Sequence, residues 1–193
     1  MSRSLVIVHR WDGRPNTDFY PWLSERLRQP PAAFDTVLTL DMPQPSAPTI
    51  DRWVSTLTQT LGPVPDASTV FLGHSVGCQA ILRFLETLPE GYRVDGAVFV
   101  AGWFEVARRW DALRPWLDTP IDFARVRAAM GRCVVLLSDG DPFTPDWRRN
   151  RQLWEEHLGA EVRVIPGARH FNNPREPAVL EAVLSCFGNR REP

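Results

Sequence analysis

The chain has 193 residues, of which 44% are hydrophobic, and its formal net charge is -1. This length allows one domain with a sizeable core, and the balanced charge provides no field to attract nucleic acid or an anionic membrane surface. The three cysteines are widely spaced and odd in number, which argues against a disulfide framework and a zinc site. We therefore expect one domain over residues 1–187, a frayed tail over residues 188–193, and no metal site.

The first apolar segment covers residues 5–8, which is too short for export or membrane insertion. A signal peptide needs roughly 7–15 apolar residues, and a membrane-spanning helix needs about 20. These features favour a soluble, cytoplasmic protein that binds a small molecule and no membrane. The sequence leaves open whether the protein is a monomer or a homodimer.

Apolar segments alternate with amphipathic segments along the chain. The apolar segments predict strands at residues 5–8, 36–40, 70–72, 96–100, 133–137 and 161–165. The amphipathic segments predict helices at residues 18–29, 50–61, 76–88, 123–130, 146–158 and 174–187, and residues 102–120 predict an irregular, aromatic-rich segment. Asp18 and Asp146 are suited to N-cap positions, and Pro174 is suited to a first helical turn. This alternation predicts an α/β fold, with a mostly parallel sheet of about six strands covered by helices on both faces.

Side chains that can take part in catalysis follow four of the predicted strands. His9 follows the first strand, Ser75 the third, Asp139 and Asp141 the fifth, and His170 the sixth. Ligands bind beyond the carboxyl ends of the strands in folds of this kind. We therefore expect a functional site where these segments meet.

Ser75 lies between Gly73 and Gly77, at the junction of a predicted strand and a predicted helix. Gly-x-Ser-x-Gly at such a junction is typical of the nucleophile elbow, a tight turn that exposes a serine hydroxyl above the sheet. The glycines leave room for the neighbouring strand and helix. The alternative interpretation is an ordinary turn of small residues, and we interpret Ser75 as a nucleophile.

A serine nucleophile needs an imidazole to take its proton and a carboxylate to orient that imidazole. His157 lies within a predicted helix, whereas His170 lies in the loop after the last predicted strand, where the serine is expected. We therefore predict His170 as the base. Asp139 and Asp141 are both candidates for the acid, and each also fits a simple turn. We favour Asp141 and leave Asp139 open.

Acyl transfer also requires donors for the oxyanion. The backbone N–H of Val76, the residue after the nucleophile, is one expected donor. The second is expected from the loop after the first strand, from Arg10 or Trp11. His9 and His74 are interpreted as residues that shape the structure.

Aromatic residues are concentrated in the irregular segment after the fourth predicted strand. Trp103, Phe104, Trp110 and Trp116 lie there, and Trp11 lies in the loop expected opposite. We predict that they form an apolar substrate pocket, and packing of a loop onto the core is an equally good interpretation.

Several motifs occur in one order over nearly the whole chain: VIVHRWDG, WLSERL, DMPQP, FLGHSVG, SDGDPFTP and GARHFN. They resemble the small, lidless α/β-hydrolases grouped with the retinoblastoma-binding protein 9 and YdeN serine hydrolases. The resemblance implies a fold without a large lid and roles for Ser75 as nucleophile, Asp141 as acid and His170 as base. It also implies hydrolysis of small carboxylic esters, or of amides, without a cofactor.

The chain departs from the family pattern in two places. Arg10 stands where family members often have glycine, in the loop expected to supply an oxyanion donor. The Leu-x-Cys-x-Glu motif for retinoblastoma-type partners is missing, so no such partner is implied. Two other functions stay open: a binding or scaffold protein that has lost turnover, and an acyltransferase that uses the same three residues.

Overall fold

The computed structural model describes residues 3–30 and 32–188, and six strands and seven helices lie in these ranges. The strands are β1 Ser4–Val8, β2 Thr36–Leu40, β3 Val70–His74, β4 Val94–Val100, β5 Met130–Ser138 and β6 Glu161–Ile165. The helices are α1 Tyr20–Arg28, α2 Ile50–Leu61, α3 Val76–Leu85, α4 Arg114–Asp118, α5 Phe123–Ala129, α6 Trp147–Leu158 and α7 Pro177–Phe187. None of these helices is long and apolar enough to cross a membrane.

The six strands form one sheet in the order β2-β1-β3-β4-β5-β6, and every neighbouring pair is parallel. The prediction of a parallel α/β sheet of about six strands is therefore confirmed. Because all strands run in one direction, their carboxyl ends and the loops that follow them lie along one edge. The loops after β1 and β4 flank the loop after β3, which carries the serine.

Helices cover the sheet on both faces, and each face has its own apolar core. On one face, side chains of α2, α3, α5 and α6, such as Trp53, Phe84 and Trp154, pack in a single buried cluster. On the other face, side chains of α1 and α7, such as Leu23 and Val183, form a second cluster. Burial of each such side chain stabilises the fold by about 1.5–3 kcal/mol.

Several element boundaries differ from the prediction, most clearly at the starts of α1 and α7. Asp18 does not cap α1: the N-cap is Phe19, and the Asp18 carboxylate accepts hydrogen bonds from the Arg10 guanidinium instead. The last helix begins at Pro177 rather than Pro174, because Glu176 takes the N-cap position.

The short helix α4 lies within the segment that was expected to be irregular. The N-cap at Asp146 is confirmed, since its carboxylate accepts a hydrogen bond from the Arg149 N–H at 3.0 Å. In the predicted tail, Gly188 donates its N–H to Leu184 at the end of α7. The rest of that tail, residues 189–193, lies outside the described residues.

Candidate active site

Ser75 adopts a strained backbone between β3 and α3. Its φ of 54° and ψ of -117° lie in a region that residues with side chains rarely adopt, at a typical cost of about 1–3 kcal/mol. The turn is held because Ser75 N–H donates to Val100 C=O at 2.9 Å. A Cβ atom at Gly77 would clash with the Val8 carbonyl, and one at Gly73 would lie 2.8 Å from the backbone of Cys78. The glycines thus allow α3 to approach the sheet closely enough for this turn.

His170 and Asp141 form a buried pair near this turn. Nδ1 of His170 lies 2.8 Å from Oδ2 of Asp141, and both side chains are almost fully buried. An ionised carboxylate can only accept, so His170 donates from Nδ1 and keeps its Nε2 available as an acceptor. The second carboxylate oxygen of Asp141 accepts the N–H of Phe143 at 2.9 Å. Both acceptor oxygens of Asp141 are therefore fixed.

The other candidates for base and acid lie elsewhere. The ring of His157 stacks on the ring of Phe123, with centroids 4.0 Å apart, on α6. Asp139 accepts the N–H of Gly167 at 2.7 Å and so holds the loop after β6 to the loop after β5. Of the two aspartates, Asp141 is the one that contacts His170.

Ser75 and His170 line the same cavity, which has a volume of about 640 Å³. Val76 and Arg10 also lie on its wall. A cavity of this size is within the range found for small-molecule sites, roughly 300–1,000 Å³. The loops after β1, β3, β4, β5 and β6 all contribute to it, as expected at the carboxyl edge of the sheet.

The aromatic residues that were expected at the pocket separate into two groups. Trp11, Trp103 and Trp110 line the cavity. Trp116 is buried in the core instead, and Phe104 is partly buried against that core. Phe104 packs on the ring of Trp154, whereas Trp116 packs edge-on against Trp53 and donates its indole N–H to Pro48 C=O. Both rings have better partners on the α2–α3–α6 face than at the cavity.

Two cavity residues have roles that sequence reasoning missed. The indole N–H of Trp103 points at the Ser75 hydroxyl oxygen, at 3.4 Å, so this ring borders the nucleophile directly. The ring of Phe143 lies edge-on to the His170 ring, with centroids 4.7 Å apart. Trp103 was expected only as a pocket wall, and no pattern in the sequence singled out Phe143.

A network of buried polar side chains holds the backbone carbonyl of Trp103 in place. Its carbonyl oxygen accepts a hydrogen bond from the Gln79 side chain, and the Gln79 side-chain oxygen accepts one from Arg83 at 2.7 Å. Burial lowers the pKa of Arg83 to about 10, which still leaves it charged at neutral pH. The backbone carbonyl groups of Gln79, Trp116 and Thr119 accept further hydrogen bonds from this guanidinium group.

Of the two oxyanion donors expected in the loop after β1, the N–H groups of Arg10 and Trp11, only that of Trp11 has no protein acceptor in the described part of the chain. The Arg10 N–H donates to the Tyr20 hydroxyl at 3.1 Å, so this donor is occupied. Among the described residues, the N–H groups of Trp11 and Val76 donate to no protein acceptor, and both residues line the cavity. The Arg10 backbone has no left-handed φ, so the loop does not require glycine there. The Arg10 side chain turns away to Asp18.

Two buried histidines fix the loops around the cavity. His9 accepts the N–H of Met42 at Nε2, at 3.1 Å, and donates from Nδ1 to the Arg10 carbonyl at 2.8 Å. His74 lies 2.7 Å from the Tyr20 hydroxyl at Nδ1 and donates from Nε2 to the His170 carbonyl at 2.8 Å. Burial lowers the pKa of His9, and that of His74 lies well below its usual value for the same reason. Both rings are neutral at pH 7, as structural residues should be.

The parallel sheet, the helices on both faces and the strained serine after β3 define an α/β-hydrolase. Residues 5–187 match the family model described as serine hydrolase, and the chain belongs to this family.

Comparisons with individual proteins agree with this assignment. The chain is 27% identical over 191 residues to the YdeN protein of Bacillus subtilis, with 97% of each chain covered. It is 23% identical to the serine hydrolase RBBP9 of Rattus norvegicus, over 94% of this chain and 89% of that one. The crystal structure of the Bacillus subtilis ydeN gene product superposes with a TM-score of 0.87 at 23% identity, covering 97% of this chain and 100% of that chain. The resemblance seen in the motifs is thereby confirmed.

Proposed function

We propose that this protein hydrolyses carboxylic esters through an acyl-enzyme formed on Ser75. The observation that carries the proposal is the buried 2.8 Å contact between Asp141 and His170, whose imidazole lines the same cavity as the strained Ser75. A neutral imidazole whose Nδ1 proton is fixed by a carboxylate can take the serine proton at Nε2. This is the arrangement that converts a weak hydroxyl nucleophile into a reactive one.

In the first half of the reaction, Ser75 Oγ attacks the ester carbonyl carbon and His170 Nε2 takes the hydroxyl proton. The carbonyl oxygen becomes an oxyanion, which the free N–H groups of Val76 and Trp11 bind. The bond to the alcohol oxygen then breaks, and His170 returns the proton to the departing alcohol. Removal of one oxyanion donor typically costs about 2.7–4 kcal/mol of transition-state stabilisation.

In the second half, water replaces the alcohol. His170 takes a proton from the water as its oxygen attacks the acyl carbon, and the oxyanion forms again in the same place. The bond to Ser75 Oγ breaks, the proton returns to that oxygen, and the free carboxylic acid leaves. Throughout both halves, Asp141 holds the imidazole in one tautomer and stabilises its protonated form.

A fluorophosphonate probe tests this proposal, because it reacts with activated serines and not with ordinary ones. We expect one labelled residue, Ser75, together with hydrolysis of p-nitrophenyl acetate. Ser75→Ala should abolish both while the circular dichroism spectrum stays the same, and the exposed-site variant Ser185→Ala should keep both. A folded protein without labelling would support the binding-protein alternative. Transfer of the acyl group to an added alcohol in preference to water would support an acyltransferase.

A further inference from the structure

We propose that this site selects its substrate by the acyl half and tolerates many alcohols. The preferred substrates are esters of apolar carboxylic acids larger than acetic acid, and the alcohol half extends into solvent. The inference rests on the proposed esterase function. It assigns the acyl side to Trp103, Leu113 and Trp110, and the alcohol side to Phe143 and Asn172.

The chemistry fixes which half lies where. The alcohol oxygen must take its proton from His170 as it leaves, so the alcohol lies on the His170 side of the serine. The neighbour of this histidine, Phe171, belongs to the core on the α1–α7 face of the sheet. Trp103 and Leu113 belong to the core on the opposite face, with α2, α3 and α6. The acyl group therefore lies toward this second face.

The floor of the acyl side is buried and apolar. The exposed fractions of Trp103 and Leu113 are 3% and 2%, and Val106 and Trp11 pack against the same core. The wall begins at the nucleophile, since the Trp103 indole nitrogen is 3.4 Å from Ser75 Oγ. An acyl chain bound here exchanges water for ring and aliphatic surface, and each methylene group gains about 0.8 kcal/mol.

Trp110 forms the outer part of this wall. Its ring lies edge-on to the ring of Trp11, with centroids 5.6 Å apart, and both line the cavity. The chain before it is anchored, because the Asn150 side chain bonds the backbone of Phe104 and Glu105. Residues 108–112 are all exposed, so Trp110 belongs to a surface segment. Its ring closes the outer end of the acyl side and thereby limits the size of the acyl group.

The alcohol side is more exposed than the floor that Trp103 and Leu113 form on the acyl side. Phe143 is 46% exposed, and its neighbour Pro142 and Asn172 are exposed as well. A group that leaves along this side keeps much of its contact with water. Changes in its length consequently alter the binding energy little, apart from contact with the Phe143 ring.

Two ester series test the inference. With p-nitrophenol constant, kcat/KM should rise about fourfold per methylene from acetate through butanoate. In the series of methyl, ethyl and butyl butanoate, kcat/KM should vary by less than about fourfold in total. A flat acyl series or a steeper alcohol series overturns the inference, and the esterase function then still stands on the labelling of Ser75. If Ser75 is not labelled at all, both proposals fall together.

Variants at two tryptophans identify the wall. Trp110→Ala should raise kcat/KM for p-nitrophenyl octanoate relative to acetate by roughly tenfold or more, the range typical of hydrophobic pockets. Trp147→Ala is the matched control, because this ring contacts Arg148 at the start of α6 and does not line the cavity. It should leave the octanoate-to-acetate ratio unchanged. An unchanged ratio in Trp110→Ala, with Ser75 still labelled, contradicts the role of Trp110.

Discussion

The hydroxyl group of Tyr20 meets Nδ1 of His74 at 2.7 Å, although the two residues are 54 positions apart in the sequence. The same hydroxyl oxygen accepts the Arg10 N–H, and the other nitrogen of His74 donates to the His170 carbonyl. One buried pair therefore joins the loop after β1 to the loop that carries the proposed base. Burial keeps the pKa of Tyr20 well above its usual value, so its hydroxyl remains a donor.

Tyr20→Phe should lower both stability and turnover. Loss of the Tyr20 hydroxyl leaves Nδ1 of buried His74 without a donor, which should reduce the free energy of unfolding by about 1–3 kcal/mol. We expect kcat to fall by roughly tenfold, because small displacements of positioning groups have large effects on rate. KM should change less than kcat, since the hydroxyl does not line the cavity. Urea unfolding and steady-state kinetics measure these quantities.

Tyr92→Phe provides the control for that experiment. Tyr92 is the other tyrosine of the chain, and its hydroxyl donates to the Pro65 carbonyl away from the cavity. This variant should keep the parental kcat and KM. Equal losses of kcat in both variants would mean that Tyr20 has no special relation to the site.

Asp141→Asn should reduce kcat about 10⁴-fold, because asparagine cannot hold the His170 tautomer or stabilise the imidazolium. Asp139→Asn should have little effect on kcat, since an amide oxygen can still accept the Gly167 N–H that Asp139 accepts now. The two variants are compared in p-nitrophenyl acetate hydrolysis. A severe loss at Asp139 instead would show that the acid has been assigned to the wrong residue.

His170→Ala should lower kcat about 10⁴-fold as well, because it removes the imidazole that lines the cavity with Ser75 and is proposed to take its proton. Replacement of His157 by alanine removes the stack on Phe123 and should affect thermal stability rather than turnover. Fluorophosphonate labelling rates and melting temperatures separate the two effects. If both variants lose activity equally, His170 is not the base.

The free energy of unfolding should decrease as pH falls below about 6.5. The pKa values of His9 and His74 are lowered from 6.5 in the folded protein, so the unfolded chain binds protons there that the folded chain does not. Each histidine then lowers the free energy of unfolding by about 1.4 kcal/mol for each unit that the pH falls, until the pH reaches the lowered pKa of that histidine. Urea unfolding between pH 7 and pH 5 measures the slope. His9→Asn should reduce that slope, and a stability that is independent of pH would contradict the prediction.

Local pattern predicted the sheet, and it assigned the candidate site residues to the loops that follow the strands. Apolar segments define the strands, and parallel strands bring their following loops to one edge, so Ser75, Asp141 and His170 were expected to be neighbours. The structure places Asp141 against His170 and both near the cavity. Helix ends were predicted less well. Asp18 binds the Arg10 guanidinium instead of capping α1, and α7 begins at Pro177, three residues after the expected Pro174.

Contacts between side chains distant in sequence could not be read from periodicity. The Tyr20–His74 contact and the Trp103 indole bond to Ser75 depend on how α1 and the segment after β4 fold over the sheet. Phe104 and Trp116 are aromatic like the cavity residues, but contacts with Trp154 on α6 and with Trp53 on α2 hold their rings away from the cavity. Composition identifies an aromatic segment but not which of its faces meets a ligand.

Trp110, which borders the cavity, and the candidate catalytic residues Ser75 and His170 lie in parts of the structure that differ in burial. Ser75, Val76 and His170 are buried, so most substitutions at these positions disturb several contacts at once. Trp110 borders the same cavity from a surface turn, where substitutions cost little stability. On the proposed function, a change of acyl specificity through Trp110 costs the fold little stability, and we expect family members with different acyl preferences to differ in segment 108–112 first.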